Sequence, residues 1–385
     1  MKKIISLFMS LFIFCLSNSI YSQWSILNAE ADSIVLKGSN HIYNLEFIEA
    51  EKCFFEVQNK YPVHPAGYFL DAMITWWKIL IDKNNSDSYK DAFLSKIEKT
   101  INICDKLLDS NSSNINALFF KGGAIGYRAR YYADIESWIN AAKDASEAFD
   151  ILKRCLKIAP SNHDIMLGTG IYNYFAEAIP EKYPIVRPLL LFLPSGDKKI
   201  GELLLKSAAK NARYSNVEAK VALMQIYYSF ESNNWEALNI VRELHQKYPD
   251  NPYFKKYYGR LLVRTGNYSF EECWREILRD CIAKKFGYQY ELARESMYYI
   301  ALALIRKKDY DMALKYLYKC DEGSRVIDKS KTSSFMIMAN LWMGKIYDLQ
   351  EKRNYAIKQY EKVLKMDNYF DSHSDAKKFI ASPYK

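Results

Sequence analysis

Residues that break regular structure are scarce: the 385-residue chain holds 14 glycines and 10 prolines. That excludes a collagen-like or low-complexity chain and argues against a loop-rich β fold; long packed helices remain. Histidine is also rare, at five. His41, His64, His163, His245 and His373 show no HExxH spacing and no close acidic-cysteine arrangement, so they read as surface or helix-end residues. No GxSxG elbow and no phosphate-cradling glycine loop occurs. The seven cysteines lack zinc-site spacing. Apart from the N-terminal segment, no apolar run approaches the ~20 residues of a membrane span. What is abundant is tyrosine, at 31, within a hydrophobic fraction of 49%. That is enough apolar material for a large core or a continuous solenoid core.

The first residues read as a leader. Lys2 and Lys3 precede an apolar run from Ile4 to Leu16, and a small-residue stretch, Ser17 to Ser22, follows. This order predicts a secretory signal peptide over 1–22. Cys15 follows Ile13 and Phe14 rather than small residues, which argues against lipid attachment there. The expectation is an exported bacterial protein, periplasmic or associated with the outer membrane. Two of the charges in the net +9 belong to the leader. Export argues against a nucleic-acid partner, so the remaining excess suits solubility or attraction to an acidic partner. Cys53, Cys104, Cys155, Cys273, Cys281 and Cys320 remain in the mature chain. Their wide dispersal at core-like positions favours buried thiols over disulfides.

Self-similarity organises the rest. A small residue about twelve positions before an Ala-x3-large apolar step recurs, as a helical hairpin needs where its two helices cross. Gly38 pairs with Ala50 and Phe54, and Met224 with Ala237 and Val241. Ala301 pairs with Ala313 and Leu317, and Gly344 with Ala356 and Tyr360. Gly259 and Gly266 begin a poorer copy, with its second helix near Phe270 to Ile282. Tyr61-Pro62 and Tyr248-Pro249 end copies, and Asn251-Pro252 supplies an N-cap and first helical residue. Residues 66–110 read as two helices, with Ile97, Ile101, Cys104 and Leu108 on one face. The predicted fold is all-α: a right-handed superhelix of tetratricopeptide-like hairpins with two long insertions. One insertion separates Gly122 from Ala148-x3-Leu152, and the other separates Gly168 from Gly201. The expected divisions are irregular hairpins over 23–160, a Gly/Pro-rich insertion repeat over 161–215 and regular repeats over 216–385.

Within the second insertion, Pro180, Pro184, Pro188 and Pro194 exclude one uninterrupted helix. Leu189, Leu190, Leu191, Phe192 and Leu193 form an apolar run. It either fills the interior or docks a partner or the envelope membrane surface. Ser195-Gly196-Asp197 reads as a turn and N-cap. Gly168, Gly170, Tyr172, Phe175, Pro180, Ser195, Gly196, Asp197, Lys198 and Gly201 together resemble the tetratricopeptide repeat protein 39 family, related to the fungal inclusion-body clearance proteins. The resemblance covers about 40 residues and implies a repeat scaffold without catalytic activity. The leader departs from that family's intracellular members, so their cellular roles are not carried over.

A groove-facing stripe is expected on the first helix of the later repeats: Tyr253, Lys256, Arg260 and Arg264, then Tyr298 and Arg306, then Lys345. Such a wall suits an acidic peptide or a terminal carboxylate. Glu295-Ser296 matches the Glu-Ser of lytic transglycosylases without their downstream motif, and Glu295 is expected on a helix surface. The expected function is a protein- or peptide-binding scaffold with no cofactor, no metal and no catalytic residues. A glycan-binding repeat protein is the alternative, and a peptidoglycan-turnover enzyme a third.

Overall fold

The computed structural model describes residues 27–190, 194–329 and 332–385. The expected leader, Cys15, and Leu191, Phe192 and Leu193 lie outside these residues. The described chain is helical throughout, in the order α1 Ala29–Tyr43, α2 Phe47–Lys60, α3 Ala66–Ile81, α4 Ser86–Ser110, α5 Ile115–Asp134 and α6 Trp138–Ile158. Then come α7 His163–Lys182, the short α8 Arg187–Leu190, α9 Lys198–Asn211, α10 Asn216–Ser229, α11 Asn234–Lys247 and α12 Pro252–Arg264. The last are α13 Phe270–Ile282, α14 Tyr290–Arg306, α15 Tyr310–Asp328, α16 Ser334–Leu349, α17 Arg353–Leu364 and α18 Ser372–Ala381. Two compact units contain them. Of the described residues, one comprises those up to Ser39, Ile48–Asp71 and Ile97–Asn216; the other comprises Asn40–Phe47, Ala72–Lys96 and Val217–Lys385.

The hairpins close for the reason the sequence suggests. A side chain on Gly38 would meet the Phe54 ring at 2.5 Å, and one on Gly259 would meet the Trp274 ring at 2.9 Å. Gly344 faces Tyr360 in the same way. Ala50, Ala237, Ala313 and Ala356 are all fully buried opposite. The sequence pattern did not reveal how each first helix ends. Leu45, Glu136, Lys308 and Glu351 adopt positive φ two residues before the second helix begins, as Gly266 does in its own turn. In the last hairpin, Glu351 N–H donates to the Asp348 carbonyl and Lys352 N–H to that of Tyr347. The same pair recurs at Lys308 and Asp309, onto Ile305 and Leu304. This is the double hydrogen bond of a Schellman turn, here built mostly without glycine.

In the first unit, α5 packs along α6, and α7 along both α6 and α9. Val35, Val57, Ala66, Cys104, Ala117 and Phe120 form one buried cluster. Asp164 holds the turn after α9: it accepts from the backbone N–H groups of Arg213 (3.2 Å), Tyr214 (2.9 Å) and Ser215 (2.8 Å). Arg213 and Tyr214 in turn bind Asp32 on α1. The insertion between Gly122 and Ala148 is helical. Its extra residues lengthen α5 and α6 on either side of a tight turn at 135–137, where Glu136 takes positive φ. The later proline-rich stretch does leave the helix: α7 ends two residues after Pro180, and a 3₁₀ turn follows over Pro184–Val186. Asp197 caps α9 by accepting from Ile200 N–H at 2.9 Å. Tyr172 pins the end of the insertion by donating to the Pro194 carbonyl at 2.8 Å.

In the second unit, each helix from α11 to α17 packs on its successor, while α14 also meets α16, and α16 meets α18. Along α14, α16 and α18, alternate helices therefore stack on one another, as in an α-solenoid. All six cysteines of the described chain are free thiols. Burial pushes Cys104, Cys155, Cys273, Cys281 and Cys320 up to about 12, so they behave as apolar core groups. Among the described residues no helix is long and apolar enough to cross a membrane, and no group of residues has metal-ligand geometry. Each described histidine lies at or beside a helix end, half-buried rather than on the open surface.

Candidate functional site

The site is built on α12. Its first turn is fixed by Asn251, whose side chain accepts from Tyr253 N–H at 3.0 Å and donates to the Tyr43 carbonyl at 2.9 Å. Gly287 permits close packing behind it, because its φ of +79° and its contact with Pro252 leave no space for a side chain. Beneath Tyr253, Trp77 donates from Nε1 to Glu218 at 2.8 Å, and Gln225 donates to the Tyr253 hydroxyl at 2.6 Å.

Lys255 and Lys256 are neighbours with opposite fates. Lys255 is buried and neutralised by Asp280 at 3.1 Å and Glu276 at 3.2 Å. Lys256 is half-buried, its ammonium 5.4 Å from the centre of the Tyr253 ring and 5.1 Å from that of Tyr257. It makes no hydrogen bond or ion pair among the described residues. Burial, followed by repulsion from Arg260 and then Lys83, lowers its pKa from the ordinary 10.5 to about 8, although Glu295 pulls the other way.

One turn on, Arg260 donates through Nε and Nη2 to Glu295, the second bond at 2.6 Å. Burial opposes the guanidinium charge and Glu295 more than restores it, so Arg260 stays protonated well above its usual range. Its Nη1 has no partner among the described residues. Arg264 lies over the Tyr228 ring at 3.6 Å and donates to the Tyr228 carbonyl at 2.9 Å. Tyr228 and Tyr257 meet edge to face at 5.1 Å, and Tyr299 stacks on Trp274. The hydroxyls of Tyr228, Tyr257 and Tyr299 make no hydrogen bond among the described residues. The cluster thus offers donors from Lys256, Arg260 and these tyrosines against one carboxylate, Glu295, which Arg260 already engages. Such an arrangement accepts an anion.

Lys83 adds charge from a fixed turn. Asp82, itself buried, accepts from Asn85 at 3.0 Å and Tyr89 at 2.9 Å, and also from Gln289 beside α14. Asn84 N–H donates back to Gln289 at 3.3 Å. The turn carrying Lys83 is therefore held where it repels Lys256.

Lys256, Arg260 and Arg264 come together as the four-residue spacing predicts, with Tyr253 three residues before them, but four expectations need correction. Tyr253 and Tyr298 are both buried, at 7% and 9% exposure, and present no open stacking face. Tyr298 packs edge-on against Phe335 instead. Glu295 is not a surface residue: it is 3% exposed, drawn inward by Arg260. Arg306 sits apart, over the Phe270 ring at 5.0 Å. Lys345 has its own enclosure, with Trp342 at 4.9 Å, Phe379 at 5.0 Å and Asp375 at 3.5 Å, and it ties α16 to α18. Leu189 and Leu190 end the short α8. Lys83, Tyr228, Tyr257 and Tyr299 are additions that the stripe did not include. A signal for some of them was available. Arg260 and Glu295 stand 35 residues apart, and Arg264 and Tyr228 stand 36 apart. Each distance is close to one repeat period, which sets residues side by side on successive first helices.

Titration of Lys256 gives a testable linkage. Between about 8 and 10.5 the unfolded chain holds a proton on this amine that the folded chain has released. Stability from this group therefore rises with pH across that window. Wild type should gain stability relative to Lys256→Met as pH is raised through it, measured by denaturant unfolding; a constant difference would show that the amine is not perturbed.

No protein-family profile matches the chain, and no curated protein sequence does. Among solved structures, it is similar to PilF of Pseudomonas aeruginosa, at 15% identity and a TM-score of 0.42, over 68% of this chain and 96% of that one. It is also similar to TTC0263, a tetratricopeptide repeat protein of Thermus thermophilus, at 16% identity and a TM-score of 0.37, over 60% of this chain and 98% of that one. A tetratricopeptide repeat protein of Parabacteroides merdae aligns over 92% of this chain and all of that one, at 12% identity and a TM-score of 0.28. At these scores the likeness carries no argument about function; the repeat fold stands on the chain's own hairpins.

Proposed function

We propose that this chain is an exported helical-repeat scaffold that holds an acidic segment of a protein partner against α12, without catalytic turnover. The observation carrying this reading is the half-buried ammonium of Lys256, which has no ion pair among the described residues and shares the Tyr257 ring with Arg260, at 5.1 and 5.5 Å. Keeping a cation partly desolvated without a counter-ion is costly, and an incoming carboxylate would relieve that cost. The resemblance of residues 168–201 to the tetratricopeptide repeat protein 39 family agrees with a scaffold. The leader-like residues 1–22 support export to the periplasm or outer membrane.

The peptidoglycan-enzyme reading loses its candidate acid, because Glu295 is engaged by Arg260 through both oxygens. The glycan reading has one specific support. The Tyr318 and Tyr347 hydroxyls meet at 2.7 Å, and exposed Tyr355 lies 5.4 Å from the Tyr347 ring. Crosslinking the tagged protein in its native envelope fraction, as wild type and as Lys256→Glu, tests the scaffold reading. A defined protein captured by wild type and lost from the folded variant is expected. Equal capture by both places the partner elsewhere, and a captured glycan favours the Tyr318–Tyr347–Tyr355 surface.

A further inference from the structure

In the second unit, the turns joining α10 to α11, α12 to α13, α14 to α15 and α16 to α17 form one edge, and side chains tie each turn to the next. Arg264 at the end of α12 donates to the Tyr228 carbonyl at 2.9 Å and to Asn234 at 3.4 Å. Lys307 meets Glu271 at 2.6 Å, and Gln350 donates to Asp311 at 3.0 Å. The backbone repeats too, with a positive φ in each turn at Ser232, Gly266, Lys308 and Glu351. Just beyond that residue, three of the turns present an aromatic ring to solvent: Trp235 is 63% exposed, Tyr268 83% and Tyr355 58%. Trp235 and Tyr268 touch no other ring among the described residues, and Tyr355 meets Tyr347 at 5.4 Å. At the turn between α14 and α15, Tyr310 is half-buried and Met312 is exposed instead.

The surroundings of these rings say what fits them. Lys307 is neutralised by Glu271, and Lys308 and Lys352 stand beside Asp309, Asp311 and Glu351, so the edge has no surplus of cations. The side chains of Asn233, Asn234 and Asn267 accept hydrogen bonds through oxygen, and their Nδ2 groups donate to nothing among the described residues. An anionic bilayer calls for excess lysine and aliphatic anchors. Neutral rings rimmed by free amides match a sugar instead. The C–H face of a pyranose packs on an aromatic ring, and its hydroxyls accept hydrogen bonds from amide donors.

We propose that this edge binds a neutral, extended glycan of the cellulose or chitin type, with Trp235 and Tyr268 as adjacent stacking platforms and Tyr355 as a third farther along. Such a chain is a flat ribbon whose successive rings can follow a row of platforms. The site uses neither Lys256 nor Arg260 and does not rest on the acidic-peptide reading.

The test titrates the full wild-type chain with cellohexaose and chitohexaose, read by tryptophan fluorescence and calorimetry. One of the two should bind, about tenfold more tightly than its disaccharide, because only the longer chain reaches two platforms. Replacing both rings, Trp235→Ala with Tyr268→Ala, should weaken binding by about tenfold or more. The circular-dichroism spectrum and the affinity for hexaglutamate should stay unchanged, since both rings lie outside the core. Failure of both hexaoses to bind wild type, or equal affinity in the folded double variant, overturns the proposal. Equal affinity for the disaccharide overturns the row of platforms. Vesicles of phosphatidylethanolamine and phosphatidylglycerol that capture wild type but not the variant, with no hexaose binding, assign the edge to a membrane. Loss of hexaglutamate binding along with the glycan overturns the separateness of the two sites.

Discussion

Gly201→Ala should destabilise the first unit by about 3 kcal/mol or more, with a melting temperature lower by several degrees. At Gly201 the helices α7 and α9 cross closely enough that an added methyl would lie 2.5 Å from the Tyr174 backbone nitrogen and 2.8 Å from the Gly170 carbonyl oxygen. These are main-chain atoms inside a helix, and no rotamer change moves them aside. The two helices must separate, which loosens the packing of Leu205, itself fully buried. Gly323 is the internal control. It lies within α15, and an added methyl there meets nothing within 4 Å. Gly323→Ala should therefore stabilise by about 0.5–1 kcal/mol through helix propensity alone. Thermal unfolding followed by circular dichroism reads both; two substitutions of equal sign would contradict the close-crossing account.

Glu295→Ala should cost about 3–5 kcal/mol, because it leaves the Arg260 guanidinium partly buried without its counter-ion. Removing both charges with Arg260→Met should recover much of that loss, as measured by a double-mutant cycle. The milder Glu295→Gln variant should also strengthen binding of an acidic peptide, since it deletes the single carboxylate at the site and releases Arg260. A structural role confined to helix packing would lower stability without raising affinity.

The hairpin framework was legible because it depends on local rules. Small residues at crossings, alanines opposite them, and caps such as Asn251 act within one repeat and leave a spacing signature. Residues 66–110 were readable as two helices for a similar reason: Ile97, Ile101 and Cys104 share one buried face. The Schellman turns were hidden because Leu45, Glu136, Lys308 and Glu351 are not the glycine that such turns usually take. The extra length after Gly122 is legible from the wide spacing to Ala148, but that spacing does not say how it divides between the two helices, which share it about a turn at 135–137.

The site was half legible. Lys256, Arg260 and Arg264 follow from four-residue spacing on one helix. Which cation is neutralised does not, because Glu295 arrives from the next repeat and Asp280 from the paired helix. Tyr253 and Tyr298 looked like groove aromatics, yet each fills a helix junction where its ring packs on other rings. Composition supplies tyrosine without saying which ring faces water.

The most direct test of the central claim is the affinity of a fluorescent hexaglutamate peptide for wild type and for Lys256→Met, measured across salt concentrations. Binding to wild type that weakens with salt, and weakens by about tenfold or more in the variant, is the predicted result. Equal affinity in the two proteins, with both folded, would contradict Lys256 as the anion-accepting centre.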